Sequence, residues 1–270
     1  MGSLRRKAIL VVALVGAGIA ASLLALGMMK AGCPDPGRSA SCTRVLFIGN
    51  SYTTVNDLPG VFTNLARSGH HRVESRTAAV DGWTLANHAD SPATAGKLAS
   101  ANWDIVVLQE QSQIPSVEEL RQAQMYPAAR RLISSIRNNG ARPLLYLTWG
   151  RRDGWPEYGM PTYAAMQSAI DDGYLAIAGD QKVAVAPVGN AWATLVVRGA
   201  PATLWQEDGS HPTEAGTYLA ACVFYATIFR ESPQGLGYHS SLSAATAATI
   251  QSVANETVLG DPAKWPGPAE

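Results

Sequence analysis

Short apolar segments that alternate with longer helical segments are the feature that most constrains the fold of this 270-residue chain. Their β-branched and aromatic residues predict buried strands at residues 45–48, 72–79, 103–109, 143–148 and 182–187. Helical patterns predict helices at residues 58–68, 117–139, 162–179, 191–198, 213–230 and 241–259, with a helical or irregular segment at 84–100. Strands separated by helices form a parallel sheet with helices on both faces. We therefore expect an α/β domain whose five strand-to-helix turns share one edge of the sheet.

The first strand ends abruptly in Gly49, Asn50 and Ser51, which are residues typical of a turn. Ligands of open α/β sheets bind at the carboxyl edge of the strands. There a serine hydroxyl is accessible and the next backbone N–H groups can face a developing anion. This placement predicts that Ser51 is a nucleophile. The alternative is that Ser51 serves only as a helix N-cap, because serine is a preferred cap residue.

A second chemical element lies far along the chain, where Asp208 and His211 stand three residues apart just before a helix. On one turn the carboxylate can accept a hydrogen bond from the imidazole and fix its tautomer. The far ring nitrogen is then available to take a proton from a serine. By itself this pattern is often a helix cap beside a surface histidine. Together with Ser51 it predicts a Ser-His-Asp triad.

The composition indicates one well-buried domain, and the N-terminal segment predicts that this domain is exported. Hydrophobic residues make up 47% of the chain, the formal net charge is zero, and no basic patch follows the extreme N-terminus, so we expect no nucleic-acid partner. Residues 1–30 begin with a basic stretch and continue with 22 uncharged residues at 8–29, which predicts a signal peptide or membrane anchor. Residues 31–42 form a linker and residues 43–270 the folded domain. We expect this domain to be extracytoplasmic, in the periplasm or at the cell surface, and either membrane-anchored or secreted.

Cys33 and Cys42 lie close together in the linker. In an oxidising compartment they can form a small disulfide loop. Cys33 also follows Ala31 and Gly32 in the manner of a lipoprotein cleavage box, although Lys30 stands where an apolar residue is usual. Cleavage and lipidation of the N-terminal segment therefore both stay open.

The nucleophile and Asp-His motifs resemble those of the SGNH hydrolases, the superfamily that includes the GDSL-type lipases and esterases. The resemblance covers about residues 44–229. It implies a three-layer α/β/α, flavodoxin-like fold with a five-stranded parallel sheet, in which residues 43–270 form the catalytic domain. It also implies that Ser51, Asp208 and His211 form the triad, and that no metal or organic cofactor is required.

The same resemblance implies an oxyanion hole with three donors. Gly82, in a segment similar to the second family block, contributes a backbone N–H, and the backbone N–H of Ser51 is another. The third family block supplies an asparagine side chain, which this chain lacks at the corresponding strand end. Gln111 falls in its place, with Gln109 as the competitor, and the alternative is that both glutamines only satisfy backbone groups. Asn50 stands where the family usually has an aspartate.

The triad predicts a serine esterase that acts on short-chain esters, with acetyl esters of carbohydrates as the leading hypothesis. The substrate is then a small-molecule or glycan ester, and the chain contacts the membrane only through an uncleaved N-terminal segment. Two alternatives stay open. One is a carbohydrate O-acyltransferase that uses the same triad, and the other is a non-catalytic, membrane-tethered glycan-binding module.

Aromatic residues near the strand ends are candidates for substrate binding. Trp83, Trp149 and Trp205 offer flat faces on which sugar rings can stack, and the alternative is that they fill the core or brace loops. Arg151 and Arg152 can contact a charged or polar substrate or lie in a solvated loop. The remaining histidines show no partner spacing and are expected at the surface or in loops: His70, His71, His88 and His239.

Overall fold

The structure is a computed structural model and describes Cys33, residues 42–200 and residues 202–268. Its sheet contains five strands, which are β1 Thr43–Gly49, β2 Val73–Ala79, β3 Ile105–Leu108, β4 Arg142–Tyr146 and β5 Ala184–Ala186. The strand order is β2-β1-β3-β4-β5, and every neighbouring pair is parallel. The carboxyl ends of the strands therefore meet at one edge. The predicted α/β fold with a five-stranded parallel sheet is confirmed.

Helices connect and flank the strands. Their bounds are α1 Ser51–Thr54, α2 Leu58–Ser68, α3 Leu85–Ala89, α4 Pro92–Ala99, α5 Tyr126–Asn138, α6 Tyr163–Gln181, α7 Val188–Arg198, α8 Glu214–Phe229 and α9 Ala244–Leu259. Shorter helical turns occupy Val55–Asp57, Ile114–Ser116, Glu118–Leu120, Arg121–Met125 and Pro156–Tyr158. The predicted helix at 117–139 is divided as expected, because Pro127 lies in the first turn of α5, where its missing N–H costs no hydrogen bond.

Both faces of the sheet are covered, because alternate side chains of a strand point to opposite layers. In β1, Val45 and Phe47 pack with α2, α7, α8 and α9. Leu46 and Ile48 pack with α3, α4, α5 and α6 on the other face. All four side chains are fully buried. These two cores give the three-layer α/β/α arrangement and hold the carboxyl end of β1 rigidly at the sheet edge.

A disulfide joins Cys33 to Cys42, and the N–H of Cys33 donates to Oε2 of Glu74 in β2 at 3.3 Å. The predicted signal or anchor segment, residues 1–30, lies outside the described residues, as does most of the linker. Among the helices that the structure describes, none has both the length and the apolar content to cross a lipid bilayer. The domain boundaries and the cellular location therefore stay predictions.

Candidate active site

Ser51 is the first residue of α1, immediately beyond the carboxyl end of β1. The N-cap of that helix is Asn50, whose Oδ1 accepts the backbone N–H of Tyr52 at 3.1 Å. The alternative role of Ser51 as the N-cap is therefore wrong. The partly exposed Ser51 side chain instead contacts an imidazole, with its Oγ 2.9 Å from Nε2 of His211.

The turn that carries Asp208 and His211 leads into α8. Nδ1 of His211 lies 2.5 Å from Oδ2 of Asp208, and Oδ1 of Asp208 accepts the backbone N–H groups of Ser210 and His211 at 2.9 and 3.0 Å. Burial raises the pKa of Asp208, but the hydrogen bonds from the His211 side chain and from the two N–H groups outweigh it and hold the pKa below its usual range. The ionised carboxylate accepts Nδ1–H, which leaves Nε2 able to accept the Ser51 proton. The structure thus brings the three predicted triad residues into one hydrogen-bonded line.

One backbone and one side-chain donor from the loop after β4 fix this turn. Gly209 has a φ of +66°, a conformation that glycine adopts at little cost. Its carbonyl accepts the N–H of Arg152 at 2.8 Å, and the carbonyl of Ser210 accepts Nε1–H of Trp149 at 2.9 Å. The catalytic geometry therefore depends on two stretches of chain that are far apart in sequence.

Trp149 and Trp205 are core residues, so their prediction as substrate-binding residues is wrong. Trp149 has no exposed surface and stacks between Tyr52 and Trp192, with ring centroids 4.6 and 4.1 Å away. Trp205 is only 9% exposed and its Nε1–H donates to the carbonyl of Gly150 at 3.1 Å. Both tryptophans brace the site from beneath, which was the alternative left open by the sequence.

His88 is buried, so its predicted place at the surface or in a loop is wrong. Nε2 lies 2.7 Å from the carbonyl oxygen of Gly49, and Nδ1 lies 2.9 Å from the hydroxyl of Thr94. Because a carbonyl oxygen only accepts, Nε2 carries the proton and Nδ1 accepts the hydroxyl. Burial lowers the pKa of His88, although the Gly49 contact opposes this shift. Trp83 packs its half-buried ring against His88 at 5.0 Å and stays a candidate for substrate contact.

The backbone N–H groups of Ser51 and Gly82, which both line the pocket beside the triad, have no hydrogen-bond acceptor within the described part of the chain. Gly82 has a φ of +74°, and no atom lies within 4 Å of the position that a Cβ would occupy. The backbone conformation, rather than lack of space, accounts for the glycine. Both N–H groups are available to an oxyanion.

Gln109 cannot donate to a substrate, so its prediction as an oxyanion donor is wrong. Its buried Nε2 uses both hydrogens, one on Oδ1 of Asn50 at 2.8 Å and one on the carbonyl of Glu110 at 2.6 Å. Its Oε1 accepts the N–H of Asn50 at 2.9 Å and the hydroxyl of Thr53 at 3.0 Å. The same side chain fills the space where a Cβ of residue 49 would lie, which explains the glycine there.

Gln111 lines the pocket beside Ser51. Its Oε1 accepts the backbone N–H groups of Gln113 and Ile114 at 2.8 and 3.4 Å, which fixes the orientation of the amide. Its Nε2 makes one long contact of 3.5 Å, to Oε1 of Gln113. The donor side of the Gln111 amide is therefore almost unused, and Gln111 stays the candidate for the third oxyanion donor.

Glu110 joins the loops that carry these donors, and no motif in the sequence marks it as a site residue. Its side chain is fully buried, and Oε1 accepts the N–H groups of Gln111 and Leu85 at 2.6 and 3.0 Å. Oε2 has no hydrogen-bond partner among the described residues. Burial raises the pKa of Glu110 to about 7, against the two N–H donors, which lower it. The carboxyl therefore positions Gln111 relative to the segment that follows Gly82.

These residues surround a pocket of about 320 Å³ at the carboxyl edge of the sheet. Apart from one tyrosine ring, its lining is polar or small: Asn50, Ser51, Tyr52, Asp81, Gly82, Gln111, Ser112, Arg151, Ser210 and His211. A larger pocket of about 450 Å³ lies along the outer side of α5 and contains none of the candidate site residues. Within residues 42–200 and 202–268, no group of three or more His, Cys, Asp or Glu side chains is arranged to hold a metal ion.

Comparisons with known proteins agree with this geometry. No protein-family model and no curated protein matches the chain, but solved structures do. A protein from Slackia heliotrinireducens assigned as an SGNH hydrolase is 30% identical, and the match covers 69% of this chain and 98% of that one with a TM-score of 0.60. A protein of the DUF4886 family from Bacteroides uniformis is 17% identical, with 81% and 95% covered and a TM-score of 0.67.

An acetyl-xylooligosaccharide esterase from Geobacillus, solved as a variant, has the same fold. It is 17% identical to this chain, the match covers 80% of this chain and 100% of the esterase, and the TM-score is 0.51. At this identity the likeness extends to the fold alone, whereas the Slackia protein is similar in both sequence and fold. The chain therefore belongs to the SGNH hydrolase superfamily, whose members are hydrolases of the esterase and lipase type.

Proposed function

We propose that the chain is a serine esterase that removes short acyl groups, with acetyl as the leading candidate, from carbohydrate esters. One observation carries this proposal, the line of contacts from Oδ2 of Asp208 through His211 to Oγ of Ser51, with lengths of 2.5 and 2.9 Å. A base within hydrogen-bond distance of a hydroxyl, and oriented by a third group, is the arrangement that activates a serine nucleophile.

The reaction proceeds in two halves. Oγ of Ser51 attacks the ester carbonyl carbon while its proton passes to Nε2 of His211, and Asp208 stabilises the imidazolium. The oxyanion accepts hydrogen bonds from the N–H groups of Ser51 and Gly82 and from Nε2 of Gln111. The intermediate collapses, the C–O bond to the alcohol breaks, and His211 returns the proton to the leaving oxygen. Water then attacks the acyl-enzyme with the same base and releases the acid.

The lining of the pocket supports a small acyl group and a polar alcohol. None of the lining residues has an aliphatic side chain, and the volume is about 320 Å³. A long acyl chain gains affinity by burying apolar area, and this pocket has no aliphatic side chain against which such a chain can pack. Sugar hydroxyls suit a lining of amide, hydroxyl and charged groups. The shared fold with an acetyl-xylooligosaccharide esterase agrees with this choice.

We also propose that residues 43–270 act outside the cytoplasm, tethered by residues 1–30 where that segment is not removed. The disulfide between Cys33 and Cys42 supports export, because disulfides persist mainly in oxidising compartments.

The test is hydrolysis of p-nitrophenyl esters, from acetate to long-chain acyl groups, by the full-length chain. We expect activity on short esters that Ser51→Ala abolishes. Ser134→Ala is the matched control, because this exposed serine of α5 is remote from the pocket. Undiminished hydrolysis by Ser51→Ala would overturn the proposal.

The same assay separates the two alternatives. An added sugar that accepts the acyl group faster than water does would identify an acyltransferase. Binding of glycans with no turnover of any ester would instead identify a binding module.

A further inference from the structure

Arg151 is a charged residue of the pocket to which the proposed reaction assigns no role. It lines the pocket together with Ser51 and His211. Its backbone is fixed, because its N–H donates to Sδ of Met166 at 3.3 Å and its carbonyl accepts the N–H of Gly154 at 3.0 Å. The side chain therefore extends into the pocket region from a rigid point.

The Arg151 guanidinium has no carboxylate within ion-pair distance in the part of the chain that the structure describes, and its Nε is buried without a hydrogen bond. The adjacent Arg152 differs, since it pairs with Asp153 at 3.3 Å and is exposed. Asp81 also lines the pocket, but its carboxylate accepts the hydroxyl of Thr54 at 3.4 Å. A partly buried cation without an acceptor is costly, and a ligand in the pocket can supply the acceptor.

The positive charge of Arg151 acts electrostatically on a residue beside the triad. Tyr52 follows Ser51 in the chain. Its ring packs edge-on against the imidazole of His211, with the ring centroids 5.6 Å apart. Burial raises the pKa of Tyr52, hydrogen bonds with Ser210 and Ser112 oppose this shift, and the positive charge of Arg151 opposes it further. A group that contacts Arg151 therefore lies near the reacting serine.

We propose that Arg151 binds a carboxylate on the alcohol portion of the ester, so that the substrate is an acetylated acidic carbohydrate such as a uronic acid unit. This inference rests on the proposed esterase function. A guanidinium matches a carboxylate with two parallel hydrogen bonds. An acetyl group is too small to carry a charge of its own, which leaves the alcohol as the portion that Arg151 recognises.

The test compares two sugars that differ only in the charged group, O-acetylated methyl galacturonoside and O-acetylated methyl galactoside. Acetate release by the full-length chain gives kcat/KM for each. We expect a preference of about 10- to 100-fold for the acidic sugar, the range of a hydrogen bond to a charged group. Arg151→Gln should bring the ratio close to one, and Arg151→Lys should give an intermediate ratio because it keeps the charge and loses the planar fork.

Arg152→Gln is the matched control, because it removes the neighbouring guanidinium and should leave the ratio unchanged. A wild-type ratio close to one would overturn the inference. Equal losses on both sugars in Arg151→Gln would also overturn it, and would assign Arg151 to the oxyanion instead. Faster hydrolysis of p-nitrophenyl hemisuccinate than of p-nitrophenyl butyrate, with no preference between the two sugars, would show that Arg151 binds an anionic acyl group. That result would contradict recognition of a carboxylate on the alcohol portion. Failure to hydrolyse either sugar or p-nitrophenyl acetate would defeat the esterase proposal itself.

Discussion

Two carboxylates support the candidate site, and they are bound in similar ways. Asp208 accepts two backbone N–H groups through one oxygen, and so does Glu110. Their second oxygens differ. Oδ2 of Asp208 contacts Nδ1 of His211, whereas Oε2 of Glu110 has no partner in the described structure. Asp208 is also half exposed, and Glu110 is fully buried.

The pKa values of the two groups shift in opposite directions for this reason. Burial raises the pKa of Asp208, but the imidazole and N–H donors outweigh it and hold the pKa below its usual range. Burial raises the pKa of Glu110 to about 7. Two accepted N–H groups alone therefore do not make a carboxylate catalytic. The third partner decides whether it is a charged partner of the base, as at Asp208, or a link between two loops, as at Glu110.

The largest difference should follow from neutralising each carboxylate in turn. Asp208→Asn places an amide N–H opposite Nδ1 of His211 and favours the tautomer with the proton on Nε2, so we expect kcat to fall by about 10³- to 10⁴-fold. Glu110→Gln keeps the oxygen that accepts both N–H groups, and kcat should fall by less than about 10-fold. Steady-state hydrolysis of p-nitrophenyl acetate measures both. Equal losses would mean that Glu110 takes part in the chemistry.

Substitutions of the two glutamines beside Glu110 should also have different effects, one on kcat and the other on stability. Gln111→Leu removes the proposed third donor, and kcat should fall by about 10²- to 10³-fold. The free energy of unfolding should fall by only about 1 kcal/mol, because the variant loses the acceptor of two partly buried N–H groups. Gln109→Leu breaks a buried network of four hydrogen bonds and should lower the free energy of unfolding by about 2–5 kcal/mol. Steady-state kinetics and urea unfolding of the two variants measure kcat and the free energy of unfolding. A Gln111 variant that keeps full kcat would remove it from the oxyanion hole.

A smaller effect should follow from loosening the turn on the Asp208 side. Trp149→Phe keeps an aromatic ring between Tyr52 and Trp192 but removes the N–H that binds the Ser210 carbonyl. We expect kcat to fall by about 10-fold, because the imidazole is less well positioned. Trp103→Phe is the matched control, since this buried indole donates to the Lys97 carbonyl at 3.2 Å, before β3 begins. It should alter stability without altering kcat, and equal kinetic effects would contradict the positioning role.

The last effect concerns the pH dependence of stability, rather than kcat, and involves Glu110. The folded state holds the Glu110 proton at pH values where the unfolded chain has released it, so the contribution of Glu110 to stability is greatest below its ordinary pKa and falls as the pH rises through about 7. Between about pH 4 and pH 8, wild-type stability should fall relative to Glu110→Gln by on the order of 2–3 kcal/mol. Urea unfolding at several pH values measures this. The matched control is Glu119→Gln, which removes an exposed carboxylate and keeps Glu110. Wild-type stability relative to Glu119→Gln should not change over this pH range, and a constant difference between the wild type and Glu110→Gln would contradict the raised pKa.

The sheet and the triad residues could be predicted because their information is local. The apolar run of β1 ends directly before Ser51, and Asp208 and His211 stand three residues apart on one turn. Residues 84–100, left undecided by the sequence, form two helices that begin after the caps Thr84 and Ser91. Such features depend on neighbours in the chain, so the pattern of residues carries them.

The supporting residues of the site could not be predicted, because their partners are distant in sequence. Glu110 binds Leu85 across 25 positions, Gln109 binds Asn50 across 59, and His88 binds the carbonyl of Gly49 across 39. Spacing alone carries no trace of such pairs. The substrate-binding prediction for Trp149 and Trp205 was wrong for a different reason. An aromatic residue after a strand suits both a core and a binding surface, and only its burial distinguishes the two roles.

Covalent labelling tests directly whether Ser51 is the activated nucleophile. A fluorophosphonate ester, which reacts with activated serine hydroxyls, is incubated with the full-length chain, and the modified residue is located by peptide mass spectrometry. We expect one adduct on Ser51, absent in Ser51→Ala and formed much more slowly in Asp208→Asn. Ester hydrolysis that persists while the label falls on another residue, or on none, would contradict it.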